Sequence, residues 1–291
     1  MALPIPLPPV ALPEHLVGRY QEYVDGTRVA VEPRNAATVI LLREAGAEPE
    51  VYLLRRQLSM DFAGGMAVFP GGGVDARDHG LEPSLWAGPS VAEWAARLGV
   101  EESDAVALVC AAVRETFEES GVLLAGESAS SVVADTTGEE WEADRVALES
   151  RSLSLTDFLE RRGLVLRTDL LNVWWAWVTP IFEPKRYATW FFVARLPEGQ
   201  RTRDVSSESS EVMWLGARDA IAQAHAEQLA MLPPTYLTLL EISQHASVDA
   251  VQSAAPESVV MFMPELEERD GGWGLSMPDR VRPLVEGRSR A

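Results

Sequence analysis

Apolar and polar positions divide the chain into two kinds of run. AATVILLRE (36–44) and VYLLRR (51–56) are β-favouring apolar runs split by the turn-like GAEPE, which predicts a hairpin. GGMAVFPGGG (64–73) predicts a short strand ending in a glycine loop. PSVAEWAARLG (89–99) predicts a short helix stopped by Gly99. In residues 103–121 the apolar positions recur at helical spacing, which predicts a helix with Ser103 as N-cap and Gly121 just past its end. TDFLERRGL (156–164), ARDAIAQAHAEQ (217–228) and PPTYLTLLEISQH (233–245) predict further helices. The aromatic runs NVWWAWVTPIF (172–182) and RYATWFFVARLP (186–197), together with EVMWL (211–215), predict strands. Residues 1–16 are Pro-rich and predict an extended arm; 125–153 are polar and leave their structure open. Strands and helices intermingle without a repeat, so the fold class is α/β (α+β), built as a sandwich of layers.

Charge narrows the functions. The chain has 291 residues and a formal net charge of -19. That field repels duplex nucleic acid and anionic membrane surfaces, so the expectation is no nucleic acid and no membrane partner. An acidic protein that handles an anionic substrate needs metal ions or local arginines to offset its own charge. Cys110 is the only cysteine, which excludes an internal disulfide and a cysteine-based metal site. The start lacks the basic segment of a signal peptide, and no apolar run approaches the ~20 residues that span a bilayer. A soluble, cytoplasmic protein is expected.

The most informative stretch is RETFEESGV (114–122). On a wheel of about 100° per residue, Val106, Val109, Cys110, Val113 and Phe117 form one stripe expected to face the core. Glu115, Glu118 and Glu119 share the opposite side, with spacings of three and four that bring their carboxylates together. They repel one another and stand near the negative end of the helix macrodipole. A hard divalent cation such as Mg²⁺ or Mn²⁺ reverses both terms. The competing reading is a solvated acidic face. FPGGGVD (69–75), upstream of the helix, is a loop whose glycines let backbone groups approach a metal or phosphate.

Together these residues resemble the signature of the Nudix hydrolase family, G-x5-E-x7-R-E-U-x-E-E-x-G-U, where U is a bulky apolar residue. Arg114, Glu115, Glu118, Glu119, Gly121 and Val122 stand on pattern, while Thr116 replaces an apolar residue. Gly72 fits the first half, with Asp78 where Glu is usual. The family has seven residues before the arginine; here 35 separate Asp78 from Arg114, an insertion of 28 that predicts a helix over or beside the site. An inserted box is a feature of the peroxisomal coenzyme A diphosphatase subgroup, which 53–78, 177–197 and 231–240 also resemble. The resemblance implies a Nudix-type α/β/α sandwich with a mixed sheet, a catalytic loop-helix and additional helical insertions. It implies an N-terminal arm (1–35), a Nudix domain (36–245) with its insertion at about 79–106, and a C-terminal extension (246–291).

By the same resemblance, Glu115, Glu118 and Glu119 hold Mg²⁺ (or Mn²⁺), and a backbone carbonyl of the Gly71–Gly72 loop completes a site. Arg114 pairs with a ligand carboxylate, a role Asp78 shares. The general base is a box glutamate or a later loop acid, with Glu211 favoured and Glu208 its rival. Arg186 is a candidate phosphate contact. Trp174, Trp175 and Trp177 either stack a nucleobase or belong to the core. The substrate is a small nucleotide diphosphate, first coenzyme A or acyl-coenzyme A, cleaved to 3′,5′-ADP and (acyl) 4′-phosphopantetheine. A coenzyme A-associated pattern is only partly kept: Arg56 and Gly65 fit, but Gln57 and Asp61 depart. ADP-ribose or NADH diphosphatase activity is the alternative, and a nucleotide-sensing module that does not cleave is the alternative of another class. The helical additions shape the pocket or cover a homodimer surface.

Overall fold

A computed structural model describes residues 7–8, 11–60, 63–269 and 272–286; Asp61 and parts of both termini lie outside them. Helix α1 (Glu14–Val24) precedes the hairpin of β1 (Arg34–Ala45) and β2 (Glu48–Arg56). The short strands β3 (Ala67–Val68), β4 (Gly71–Gly73) and β5 (Trp86–Ala87) follow. Helices α2 (Val91–Leu98) and α3 (Glu102–Ser120) then adjoin almost directly. After β6 (Ala125–Gly126) come α4 (Glu139–Glu149), α5 (Leu155–Arg162) and β7 (Val165–Arg167). Strands β8 (Leu171–Val178), β9 (Tyr187–Arg195) and β10 (Ser209–Gly216) complete the main sheet. Helices α6 (Ala217–His225), α7 (Pro233–Ile242) and α8 (Val248–Ala254) lead to the hairpin β11 (Leu266–Arg269) and β12 (Gly272–Leu275), and to α9 (Arg282–Glu286).

The main sheet runs β10-β2-β1-β9-β8, with β3 added beside β2 and β4 beside β1. β1 and β9 are parallel; the other pairs are antiparallel, so the sheet is mixed. Side chains alternate along β1: Val39 and Leu41 enter one core, Ile40 and Leu42 the other. Both faces are covered, which explains why the strand reads as a continuous apolar run. On one face Leu108, Val109, Ala112 and Phe117 of α3 pack with Trp94 of α2. On the other lie Ile221 of α6, Tyr236 and Leu240 of α7, and Val251 of α8. The result is the expected α/β/α sandwich. Among the described residues no helix is long and apolar enough to cross a membrane.

Several expectations need correction. Ser103 is not the N-cap of α3. Gly99 adopts the left-handed conformation at the end of α2, and Glu101 is already extended, so the helix begins at Glu102. Nor is α3 buried along one stripe. Glu118 and Glu119 are each only 7% exposed, because β4, α4 and the loop before β10 cover that side. The strand from 172 ends at Val178, before Pro180, which has no N–H to offer a ladder. The Pro-rich start gives way to α1 at Glu14.

The tryptophans are core residues. A bulge between Val173 and Trp175 places Trp174 and Trp175 on the same side of the sheet. Both indoles donate to Glu241 on α7, at 3.1 and 2.6 Å. The C-terminal segment is tied to this point, since Arg280 pairs with Glu241 at 2.7 Å and donates to the Trp174 carbonyl.

The insertion is also part of the core. Trp94 is fully buried against Phe192, and the Trp190 indole donates to the Leu98 carbonyl at 2.9 Å. Among the described residues the indole nitrogen of Trp94 has no hydrogen-bond partner. Its ring therefore contributes through packing and the Arg97 guanidinium 5.2 Å from its centroid rather than through a hydrogen bond, which distinguishes two substitutions. Trp94→Ala is expected to cost about 3–5 kcal/mol of unfolding free energy in urea titrations. Trp94→Phe keeps the ring contact, removes the unpaired donor and should cost roughly 1.5 kcal/mol or less. Equal losses in the two variants would contradict the packing argument.

Candidate active site

The last two turns of α3 and the glycine strand β4 form the site. Gly71 and Gly72 lie against Thr38 and Ala37 of β1, which carries them to the glutamate end of the helix. The Gly71 amide donates to Glu119 at 2.8 Å. A Cβ on Gly72 would stand 2.5 Å from the Glu115 carboxyl, so glycine is needed for that approach. Gly121 has φ +74, and a Cβ there would meet the Arg203 guanidinium at 2.8 Å. It both ends the helix and admits an arginine beneath it. Thr116, off the family pattern, is buried with its hydroxyl satisfied by the Ala112 carbonyl at 2.7 Å.

Arg114 organises the cluster. Its Nε and Nη2 each donate to one oxygen of Asp78, both at 2.9 Å, in a bidentate pair. Nη1 reaches Glu115 at 2.7 Å and both Glu118 oxygens at 3.2 Å, and Nη2 also meets the Gly73 carbonyl. Asp78 is 2% exposed and also accepts from the Asp75 amide, which fixes the helical turn 76–80. The insertion therefore leaves this pairing intact: the chain departs after the turn and returns through the N-terminal end of α3. Asp serves where Glu is usual because the turn brings its carboxylate directly onto the guanidinium.

The carboxylates are electrostatically loaded. Burial raises the pKa of Glu118, and with the charge of Glu115 pushes it up to about 8, against the pull of Arg114. Burial also raises Glu115, and raises Glu119 well above its ordinary value although the Gly71 amide and Arg56 pull the other way. As they stand, Glu115 and Glu118 turn to Arg114 and Glu119 to Gly71, so no three such groups among the described residues close round one point. The donor set nonetheless fits a divalent cation. It consists of hard carboxylate oxygens, crowded and partly desolvated.

The two loop acids, both salt-bridged and about half exposed, differ in which charges they act on. Glu211 is paired outward with Arg55 at 3.3 Å and its side chain is 56% exposed. Glu208 is the acid whose charge bears on both Glu115 and Glu119. It pairs with Arg56 at 2.7 Å. A bulge lies between Ser209 and Glu211, where the loop meets β10. Arg186 is also reassigned. Its guanidinium donates to the Thr179 and Val31 carbonyls at 3.0 and 2.9 Å and is 8% exposed, which ties the arm to the strand start. Arg56, whose charge acts on Glu119, is the arginine that joins Arg114 near the carboxylate cluster. In the sequence it stands out only within the partial coenzyme A pattern.

Comparison with known proteins agrees with this geometry. The NUDT19 Nudix domain family model matches residues 82–242, more than half of the chain. The chain belongs to the Nudix hydrolase family. Putative nudix hydrolase 7 of Caenorhabditis elegans is 28% identical over 216 residues, covering 72% of this chain and 61% of that protein. Acyl-coenzyme A diphosphatase NUDT19 of Xenopus laevis is 22% identical over 265 residues, covering 79% of this chain and 70% of that one. For the NUDT19 protein of Gallus gallus the identity is 24% over 239 residues, covering 69% and 62%. The chain thus spans about three fifths to seven tenths of these relatives' lengths. A solved NUDIX hydrolase from Alicyclobacillus acidocaldarius superposes with a TM-score of 0.68 at 26% identity, over 78% of this chain and 99% of that one. Nudix hydrolases generally use divalent metal ions.

The raised carboxyls make a signed expectation. A carboxyl with a raised folded pKa contributes stability below its ordinary value of 4.5 and loses it as pH rises through the folded value, about 8 for Glu118. A divalent cation competes with those protons. Mg²⁺ at a hundredfold excess over its Kd should therefore stabilise by about 2.7 kcal/mol near pH 8, with a smaller gain at pH 5. Melting curves at the two pH values check this; an equal or absent Mg²⁺ increment would contradict it.

Proposed function

We propose that the chain is a Mg²⁺-dependent diphosphatase that cleaves coenzyme A or acyl-coenzyme A to 3′,5′-ADP and the corresponding 4′-phosphopantetheine. The observation that carries this reading is the Arg114 cluster: three acidic side chains at one helix end, a glycine strand against them, and a buried Asp78 holding the arginine in place. The substrate choice is supported by the relatives named acyl-coenzyme A diphosphatase.

Glu115, Glu118 and Glu119 would hold the ions, with a carbonyl from the Gly71–Gly72 loop. Bound there, divalent cations supply neutralisation of the diphosphate and a lowered pKa for the attacking water. The chain's own groups do the rest. Arg114 fixes the starting rotamers of Glu115 and Glu118 and keeps a positive charge beside them. Arg56 offers a guanidinium to a phosphate oxygen, and Glu208, its partner, accepts the proton of the attacking water. ADP-ribose and NADH contain the same diphosphate and remain the enzymatic alternative. A sensor that binds without cleaving has no need of crowded carboxylates at this helix end.

Glu118→Gln and Glu119→Gln should each lower kcat by roughly two orders of magnitude or more while the fold survives, because each removes a charged ligand. The direct assay is a panel of coenzyme A, acyl-coenzyme A, ADP-ribose, NADH and diadenosine polyphosphates, with and without Mg²⁺ or Mn²⁺. Metal-dependent release of 3′,5′-ADP from coenzyme A is the expected result. Turnover of another member alone would overturn the substrate, and nucleotide binding without turnover would favour the sensor.

A further inference from the structure

Helix α4 lies outside the signature and outside every catalytic role considered above, yet it links both halves of the site. Arg145 on this helix is 3% exposed and donates through Nη1 to the backbone carbonyl of Glu118 at 2.7 Å. It therefore sits at the negative end of α3, where a cation is favoured. Two acids on its own helix hold it: Glu142 at 2.7 Å and Glu149 at 3.0 Å. Glu142 also binds Arg203 at 2.6 Å, whose amide donates to the Ser120 carbonyl.

Glu149 faces the other way as well. Its second oxygen accepts from the Ser207 amide at 3.1 Å and the Ser207 hydroxyl at 2.6 Å. Burial works against its charge, but those two bonds and Arg145 outweigh it and hold the carboxyl below its ordinary range. Ser207 immediately precedes Glu208. The Gln57 side chain grips the Ser207 carbonyl at 2.7 Å, and the Gln57 amide donates to the Glu208 carbonyl at 2.9 Å. A continuous path thus runs from the Glu118 carbonyl through Arg145, Glu149 and Ser207 to Glu208. An exposed loop would otherwise lose conformational freedom only at an entropic cost.

We propose that Glu149, held by Arg145, is a positioning residue that fixes the Ser207–Glu208 turn against the glutamate end of α3. The kinetic part of this inference rests on the role given to Glu208 above; the structural part does not. Small displacements of a proton acceptor are costly to rate and nearly neutral to substrate binding.

The test uses the full chain and Glu149→Ala, with Ser207→Ala as a second variant that leaves α4 untouched. In hydrogen–deuterium exchange, Glu149→Ala should speed exchange of peptides covering 203–209 by about tenfold or more, with the first half of α3 unchanged. Its kcat should fall about tenfold with KM within roughly twofold, and Ser207→Ala should shift both readouts the same way by less. In a Glu208→Gln background, Glu149→Ala should cost almost nothing further, because both changes act through one group. Unchanged exchange at 203–209 would overturn the proposal, as would the same loss of kcat in both backgrounds. If the wild type turned over no diphosphate, the functional reading would fall and the exchange result alone would decide this one.

Discussion

Asp78, Glu115, Glu118 and the Gly73 carbonyl all accept hydrogen bonds from one guanidinium, that of Arg114. Burying that charge is costly on its own, as is burying each carboxylate. Together they form a set that none can leave without stranding the others. Asp78 matters most, because it is the deepest and meets the arginine through two bonds. By occupying Nε and Nη2 it leaves Nη1 for the glutamates, which keeps their carboxylates at the helix surface nearest the glycine strand.

The rest of the fold serves this arrangement. The parallel pairing of β1 with β9 builds a sheet centre onto which β4 can add, and β4 brings Gly72 under Glu115. Gly121 ends α3 tightly enough for Arg203 to pass beneath. Arg145 meets the exposed carbonyl of Glu118. The chain is strongly acidic overall, but the end of this helix is ringed by arginines at 56, 114, 145 and 203. The positive charge is local, and it surrounds the acids without neutralising them. A substrate diphosphate brought with divalent cations meets a field suited to both.

Much of this was legible in the sequence, for physical reasons. Continuous β-favouring apolar runs marked β1, β2 and β9, because the sheet is buried on both faces, and helical spacing marked α3. The glycines at 72 and 121 were legible because no other residue fits those contacts. Asp78 was in doubt, because no spacing rule says that a 28-residue insertion can leave and return without disturbing a pair. The wheel of α3 misled over burial, since polar side chains can be buried when a loop, a strand and a neighbouring helix each bring partners. Glu211 was favoured over Glu208 for its place just before the strand EVMWL, a position that does not show what each carboxylate meets. Arg186 looked like a free cation, but its partners are backbone carbonyls, which carry no sequence signal.

The central claim is that Glu115, Glu118 and Glu119 crowd together to hold divalent cations. Electron paramagnetic resonance of Mn²⁺ titrated into the protein tests it without reference to any substrate. Saturable binding is expected in the wild type, weakened by about tenfold or more in each of Glu115→Gln, Glu118→Gln and Glu119→Gln. Mn²⁺ binding unchanged across all three variants, with the fold intact, would contradict it.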